Sequence, residues 1–161
     1  VKTSFKQTVD EIVARHHSFL RKELPQITHL MDKLLVESND SELLIEAQQI
    51  YKKVRSKIET HLKDEELVLF PTGIALESGG EVPDSDMDLR ARLAEMEKEH
   101  DGCGNALGTI AQMIGKTAPN ELRDNLLNAL ENVQKDLRVH VDKENNQVHP
   151  QFLQLLNKTA L

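Results

Sequence analysis

Two segments of the chain, "HLKDEELVLFP" (61–71) and "HVDKENNQVHP" (140–150), each place a His and a Glu four residues apart and a Pro six residues beyond the Glu. On a helix, residues i and i+4 share a face. His61 and Glu65 can therefore reach one point, and so can His140 and Glu144. A lone pair of this kind on a charged helix reads as a solvated ion pair. Here both pairs fall on apolar seams, where a carboxylate is rarely buried without a partner. Two further seam residues, His17 and His100, bring the set to four imidazoles and two carboxylates. Two buried carboxylates side by side repel, and one or both would take up a proton. A pair of metal cations removes the conflict: each Glu can bridge both cations, and each cation then receives two His. A bridging oxide or hydroxide raises the coordination to about five and leaves an open position. Mixed imidazole and carboxylate donors suit iron, manganese or zinc. With a single cysteine, Cys103, an iron–sulfur cluster is excluded.

Four long periodic segments must position these side chains, about 5–36, 41–70, 86–115 and 120–148. Their seams step by fours and threes, as in a helix bundle. The first runs Val13, His17, Leu20, Leu24, Ile27, Met31, Leu34. The second runs Leu44, Ala47, Tyr51, Val54, Ile58, His61, Glu65, Val68. The third runs Leu89, Leu93, Met96, His100, Cys103, Leu107, Ile110, Ile114. The fourth runs Leu126, Leu130, Val133, Leu137, His140, Glu144, Val148. Breakers separate them at 36–42, 71–86 and 115–121. Asp40 or Ser41, Asp86 and Asn120 are the candidate caps. Pro25 removes one hydrogen bond inside the first segment and predicts a kink there rather than a new helix. The fold class is therefore all-α, an antiparallel up-down four-helix bundle over residues 1–161, with hairpins 5–70 and 86–156 joined by a connector at 71–85. The four His lie at similar distances along the chain from their hairpin loops, so all four imidazoles can meet in one core layer. A shift of 79 residues lays His61 on His140, Glu65 on Glu144 and Pro71 on Pro150. The two hairpins are then related by a pseudo-twofold axis near that layer.

Composition narrows the partners. The net charge is −7, with no basic stripe to neutralise phosphates, which argues against nucleic acid. No uncharged run is long enough to span a bilayer, and no signal peptide opens the sequence. With one Cys and no disulfide framework, the expectation is a soluble, cytoplasmic protein, monomeric or dimeric.

"HHSFLRKELP" (16–25), "HLKDEELVLFP" (61–71), "EHDGCG" (99–104) and "HVDKENNQVHP" (140–150), taken in order, resemble the motifs of the hemerythrin-like, His-His-Glu cation-binding family, and within it the repair-of-iron-centres proteins. The resemblance implies a four-helix bundle with a non-haem di-iron centre. It implies His17, His61, Glu65, His100, His140 and Glu144 as ligands of two iron ions, with Glu65 and Glu144 bridging. It further implies a role in nitrosative and oxidative stress, either donating iron to damaged iron–sulfur proteins or binding and reducing nitric oxide. Oxygen-carrying hemerythrins have a second His four residues after the third-helix His, where this chain has Gly104. Many repair proteins carry an amino-terminal Cys pair, which does not occur here. The competing readings are a module that binds, stores or senses O2 or NO without turnover, and a bundle without metal.

Other residues have plainer readings. His16 also fits a seam, but the longer run favours His17, and His16→Ala is expected to be nearly silent. His29 reads as a surface residue, and His149 as a partner for the last helix carbonyls rather than a ligand, with a hydrogen bond behind the metal ligands as its alternative. It stands where an aromatic is more usual in the family. Cys103 reads as a small apolar filler, and Asp64 and Glu66 as solvated. Gly102 and Gly104 each weaken a helix by about 1 kcal/mol; they imply either close helix approach or room for a ligand.

Overall fold

A computed structural model describes residues 3–38, 41–81 and 86–159, the side chains of 86–88 and 159 left aside. The described residues form four long helices and no strand. The first helix packs on the second and fourth, and the third packs on the same two. Sequence neighbours are thus spatial neighbours, which is the up-down bundle the periodicity predicts.

Caps explain several of the ends. Ser4 and Gln7 form a capping box at the start of the first helix, and Glu77 adds a carboxylate there, accepting from the Phe5 N–H at 2.7 Å. Ser41 caps the second helix through the Leu44 N–H, and Asn120 caps the fourth through the Arg123 N–H at 2.7 Å. Asp40 and the Asp86 side chain lie outside the described residues. The first helix continues across Pro25 to Glu37. Beside that proline the buried Tyr51 donates its hydroxyl to the Leu24 carbonyl at 2.7 Å, tying the first two helices together.

The structure corrects two helix ends. The second helix does not stop before Pro71 but runs on through Phe70–Glu77, and the fourth does not stop at 148 but runs on through His149–Thr159. In both, a π-helical turn precedes the proline, Glu65–Leu69 and Glu144–Val148. The N–H of the residue before each proline reaches back five residues, Phe70 to Glu65 and His149 to Glu144. A residue without an N–H then follows where the hydrogen-bond register changes, so Pro71 and Pro150 give up less than they would within a regular helix. What ends the second helix is Ser78-Gly79-Gly80. Gly79 adopts a φ of 93°, and the Gly79 and Gly80 amides return to the Leu76 and Ala75 carbonyls, the double closure of a Schellman motif.

A third π-turn, Val13–His17, lies in the first helix. Two of these turns also correct the seams, while Val148 is buried as its seam predicts. Each absorbs one extra residue, so Ile12 rather than Val13 faces inward before His17, and Leu69 rather than Val68 after Glu65. The apolar core is accordingly split in two. One cluster gathers Leu20, Ile27, Tyr51, Ile58, Leu107, Ile110, Leu130 and their neighbours. The other gathers Phe5, Ile12, Leu69, Phe70, Leu93, Met96, Val148, Phe152 and Leu156. Along the first, third and fourth helices the His and Glu residues singled out by spacing fall between the two, and on the second Glu65 does, with His61 beside Leu62 at the edge of the first cluster.

Candidate metal centre

Four helices deliver six side chains to that middle layer. His17 closes the first π-turn, Glu65 and Glu144 open the other two, His61 and His140 stand one turn before them, and His100 comes from the middle of the third helix. Five are buried outright, and the His100 side chain is 7% exposed. Their donor atoms form two groups, His17, Glu65, His140 and Glu144 on one side and His61, Glu65, His100 and Glu144 on the other, each within 4.8 Å. Both groups contain both carboxylates. Within them, His61 Nε2 lies 3.2 Å from Glu65 Oε1, His100 Nε2 lies 3.6 Å from Glu144 Oε2, and His140 Nε2 abuts Glu144 Oε1. The Nε2 atoms of His61 and His100 approach to 2.8 Å.

The donor atoms are poorly served by the protein itself. Both nitrogens of His17 and His140 and all four oxygens of Glu65 and Glu144 are buried without a hydrogen-bond partner. Buried polar atoms are nearly always paired, and an unpaired one costs about 1–3 kcal/mol. Eight such atoms converging on one layer fit cations far better than they fit an ordinary core. Electrostatics agree. Burial, reinforced by His140, lowers the His17 imidazole to about 4, and burial lowers His100 to about 4 against the pull of Glu144. Both are therefore neutral donors at pH 7. Burial and the neighbouring Glu144 push Glu65 well above the usual carboxylate range, while His140 and His100 hold Glu144 below it despite its burial. The metal-free layer thus keeps a proton on Glu65, which a bound cation would replace.

Around this set runs a ring of partners that the spacing did not reveal. Glu99 Oε2 meets His61 Nδ1 at 3.2 Å, which turns His61 Nε2 to the centre. Glu66 is not a solvated residue: it holds Arg21 through both carboxylate oxygens, and its Oε2 lies 3.6 Å from His17 Nδ1. His16 is buried, with Nδ1 on Asp136 at 2.7 Å and Nε2 against Lys143 Nζ at 3.1 Å. Neither nitrogen of His16 is free to join the six, and its ring stacks on His140 at 5.4 Å. Truncating it removes packing behind a site residue, so His16→Ala is no longer expected to be silent. His149 does not end a helix; it is buried, bonded to Glu97 at 3.1 Å and directed at Glu144. Such partners orient metal-binding imidazoles. A signal for them was present only in part, as the acidic neighbours Glu66 and Glu99 beside two site residues.

The remaining expectations divide. His29 is exposed, and Cys103 is half-buried with its thiol pushed up by burial, as an apolar filler would be. Close helix approach does not explain Gly102 or Gly104, because a Cβ at either meets nothing within 4 Å. Gly104 instead borders a cleft that reaches His100 between the third and fourth helices. Beside the centre, Leu20, Ile58, Leu62, Cys103 and Leu137 enclose with His61, His100 and His140 a small, mostly apolar cavity of about 20 Å³. That is room for one water or one diatomic molecule.

The Hemerythrin HHE cation binding domain matches residues 8–152. The chain belongs to this hemerythrin family. All six converging residues lie inside the matched span, and the family carries non-haem iron. The chain is also 26% identical over 157 residues to a probable iron-sulfur cluster repair protein of Haemophilus influenzae. The alignment covers 93% of the chain and 66% of the relative, so the chain spans just under two thirds of that protein's length. Among its described residues no helix is long and apolar enough to cross a membrane.

Proposed function

We propose that this chain is a non-haem di-iron protein of the nitrosative and oxidative stress response, acting on iron–sulfur proteins in the cytoplasm. His17, His61, Glu65, His100, His140 and Glu144 would hold the two irons, with Glu65 and Glu144 shared between them. One observation carries the reading: two donor groups that share Glu65 and Glu144. Two irons, when bound, would supply two electrons and an open position. The rest is the protein's work. The neutral imidazoles of His17 and His100 donate without first losing a proton. Glu65 and Glu144 balance the cationic charge in a layer of low dielectric. The apolar clusters above and below keep bulk water out.

Two activities fit: release of iron to a damaged iron–sulfur protein, which accords with the cluster repair that the Haemophilus relative is named for, and reduction of nitric oxide to nitrous oxide. The small, mostly apolar cavity beside His61 and His100 supports a second reading. That favours holding one O2 or NO reversibly, as a carrier or sensor does. The deciding experiment mixes anaerobically reduced protein with nitric oxide, and separately with an apo-cluster protein. Nitrous oxide identifies the reductase, and a rebuilt cluster identifies the donor. Reversible uptake with neither product contradicts a repair role and supports the carrier.

A further inference from the structure

Among the positions of the internal repeat that are buried in both halves, one differs in chemistry. The shift of 79 residues that lays Glu65 on Glu144 also lays Phe70 on His149. The structure seats the two rings alike. Phe70 lies against His17, ring centroids 5.9 Å apart and planes 14° apart, and His149 lies against His100 at 6.2 Å and 17°. A phenyl ring fills such a seat with no polar atom to satisfy. The imidazole brings two nitrogens into a position only 3% exposed. Nδ1 meets Glu97 Oε1 at 3.1 Å, the arrangement that also directs His61 through Glu99. If Nδ1 carries the proton for that carboxylate, Nε2 presents a lone pair. It faces Glu144 Oε2 at 3.9 Å, too far for a hydrogen bond and acceptor against acceptor.

We propose that His149 is a fifth imidazole ligand, binding through Nε2 on the His61 and His100 side of the centre. A cation between Nε2 and Glu144 Oε2 turns the unfavourable facing pair into two bonds. Two donors each about 2.1 Å from one cation can be no more than about 4.2 Å apart, a limit that His149 meets toward Glu144; it stands outside the donors that lie mutually within 4.8 Å, so its ring must close in on the cation. His149 Nε2 is 3.9 Å and His100 Nε2 3.6 Å from that same oxygen. The two metal positions are then unequal, with three imidazoles on this side and two, His17 and His140, on the side where Phe70 takes the equivalent seat.

The inference rests on the metal centre proposed above, and one experiment separates their failures. Apo-protein is loaded with cobalt(II) and its proton NMR spectrum recorded in H2O. Each bound imidazole gives one exchangeable, far-shifted ring N–H signal. Four are expected from His17, His61, His100 and His140 and a fifth from His149. His149→Phe, which copies the other half of the repeat, should fold with unchanged far-UV circular dichroism, lose one signal, and bind one of its two cobalt ions about tenfold or more weakly. Four signals in both proteins would overturn the role of His149 while leaving the centre intact. No shifted signals in either would overturn the centre itself. The spectrum of the unmodified protein decides the count even if the variant fails to fold.

Discussion

Glu65 and Glu144 each open a π-helical turn, 79 residues apart in the chain, and each belongs to both donor groups of the centre. That shared membership gives the carboxylates a role that no single imidazole has. Glu65→Gln should reduce iron from about two per chain to well below one, because a neutral amide bridges poorly and the site loses a negative charge where charge balance counts most. His17→Ala, in contrast, should weaken mainly one position. Glu46→Gln, on an exposed stretch of the same helix, is the control for general loss of charge. Glu66→Gln cannot serve, since it loosens Arg21 and the surroundings of His17. Iron analysis on identically prepared variants checks the ranking. Normal iron in Glu65→Gln would remove the bridging role.

The same substitution should act oppositely on the metal-free fold. Glu65 has its pKa raised by burial and by Glu144. Its folded form therefore keeps a proton that the unfolded chain gives up above about pH 4.5, and stability is lost as pH rises through and beyond that value. Gln carries no such penalty. Apo Glu65→Gln should melt higher than apo wild type at pH 7, and the advantage should shrink toward pH 4. Thermal melts in the presence of a chelator across that range test this, and a lower melting temperature at pH 7 would contradict it.

His17 and His100 set the acid limb. Burial holds both at about 4, below the ordinary 6.5. The unfolded chain therefore binds protons that the fold refuses, so the contribution of these two imidazoles to apo stability is full above about 6.5 and is lost as pH drops to about 4. Metal binds only the folded ligand set, so iron-loaded protein should melt higher than apo protein at neutral pH, by about 3 kcal/mol of stability at a hundredfold excess of metal over Kd. The apo form should remain helical, because the two apolar clusters do not depend on the metal. Identical melting with and without iron would mean that the six residues are not joined to the core.

Glycines in this bundle should separate by what surrounds them. A Cβ at Gly73 would lie 2.2 Å from the Phe5 ring, where the end of the second helix closes on the start of the first. Gly73→Ala should cost about 1–3 kcal/mol through overpacking. Gly102 sits in mid-helix with open space around it, so Gly102→Ala should stabilise by up to about 1 kcal/mol. Denaturant titration of the pair checks both signs at once.

Much of the site was legible because burial and charge conflict so visibly in the sequence. A His and a Glu on an apolar seam, twice, leave few physical solutions, and the six residues do converge. The π-turns were not legible. The step from Ile12 to His17 is five residues, which a regular helix cannot keep on one face, and four-three counting hid it by choosing Val13 instead. The same turns let the helices run through Pro71 and Pro150, where a proline ordinarily marks an end. Those two prolines and the glutamates six residues before them are therefore one device, read in the sequence as a repeat and in the structure as a change of hydrogen-bond register. Glu99, Asp136 and Glu97 were hidden for another reason. Each belongs to a different helix from the His it orients, and only the packing of the bundle brings them together.

Two irons held between the shared carboxylates Glu65 and Glu144 are the core of the proposed function. The most direct measurement is Mössbauer spectroscopy, with iron quantified per chain, on oxidised protein prepared anaerobically with ⁵⁷Fe. About two irons per chain are expected, in a coupled diferric pair with a diamagnetic ground state and the near-ultraviolet absorption of an oxo bridge. One iron per chain at full occupancy, or two irons that are magnetically isolated, would contradict it.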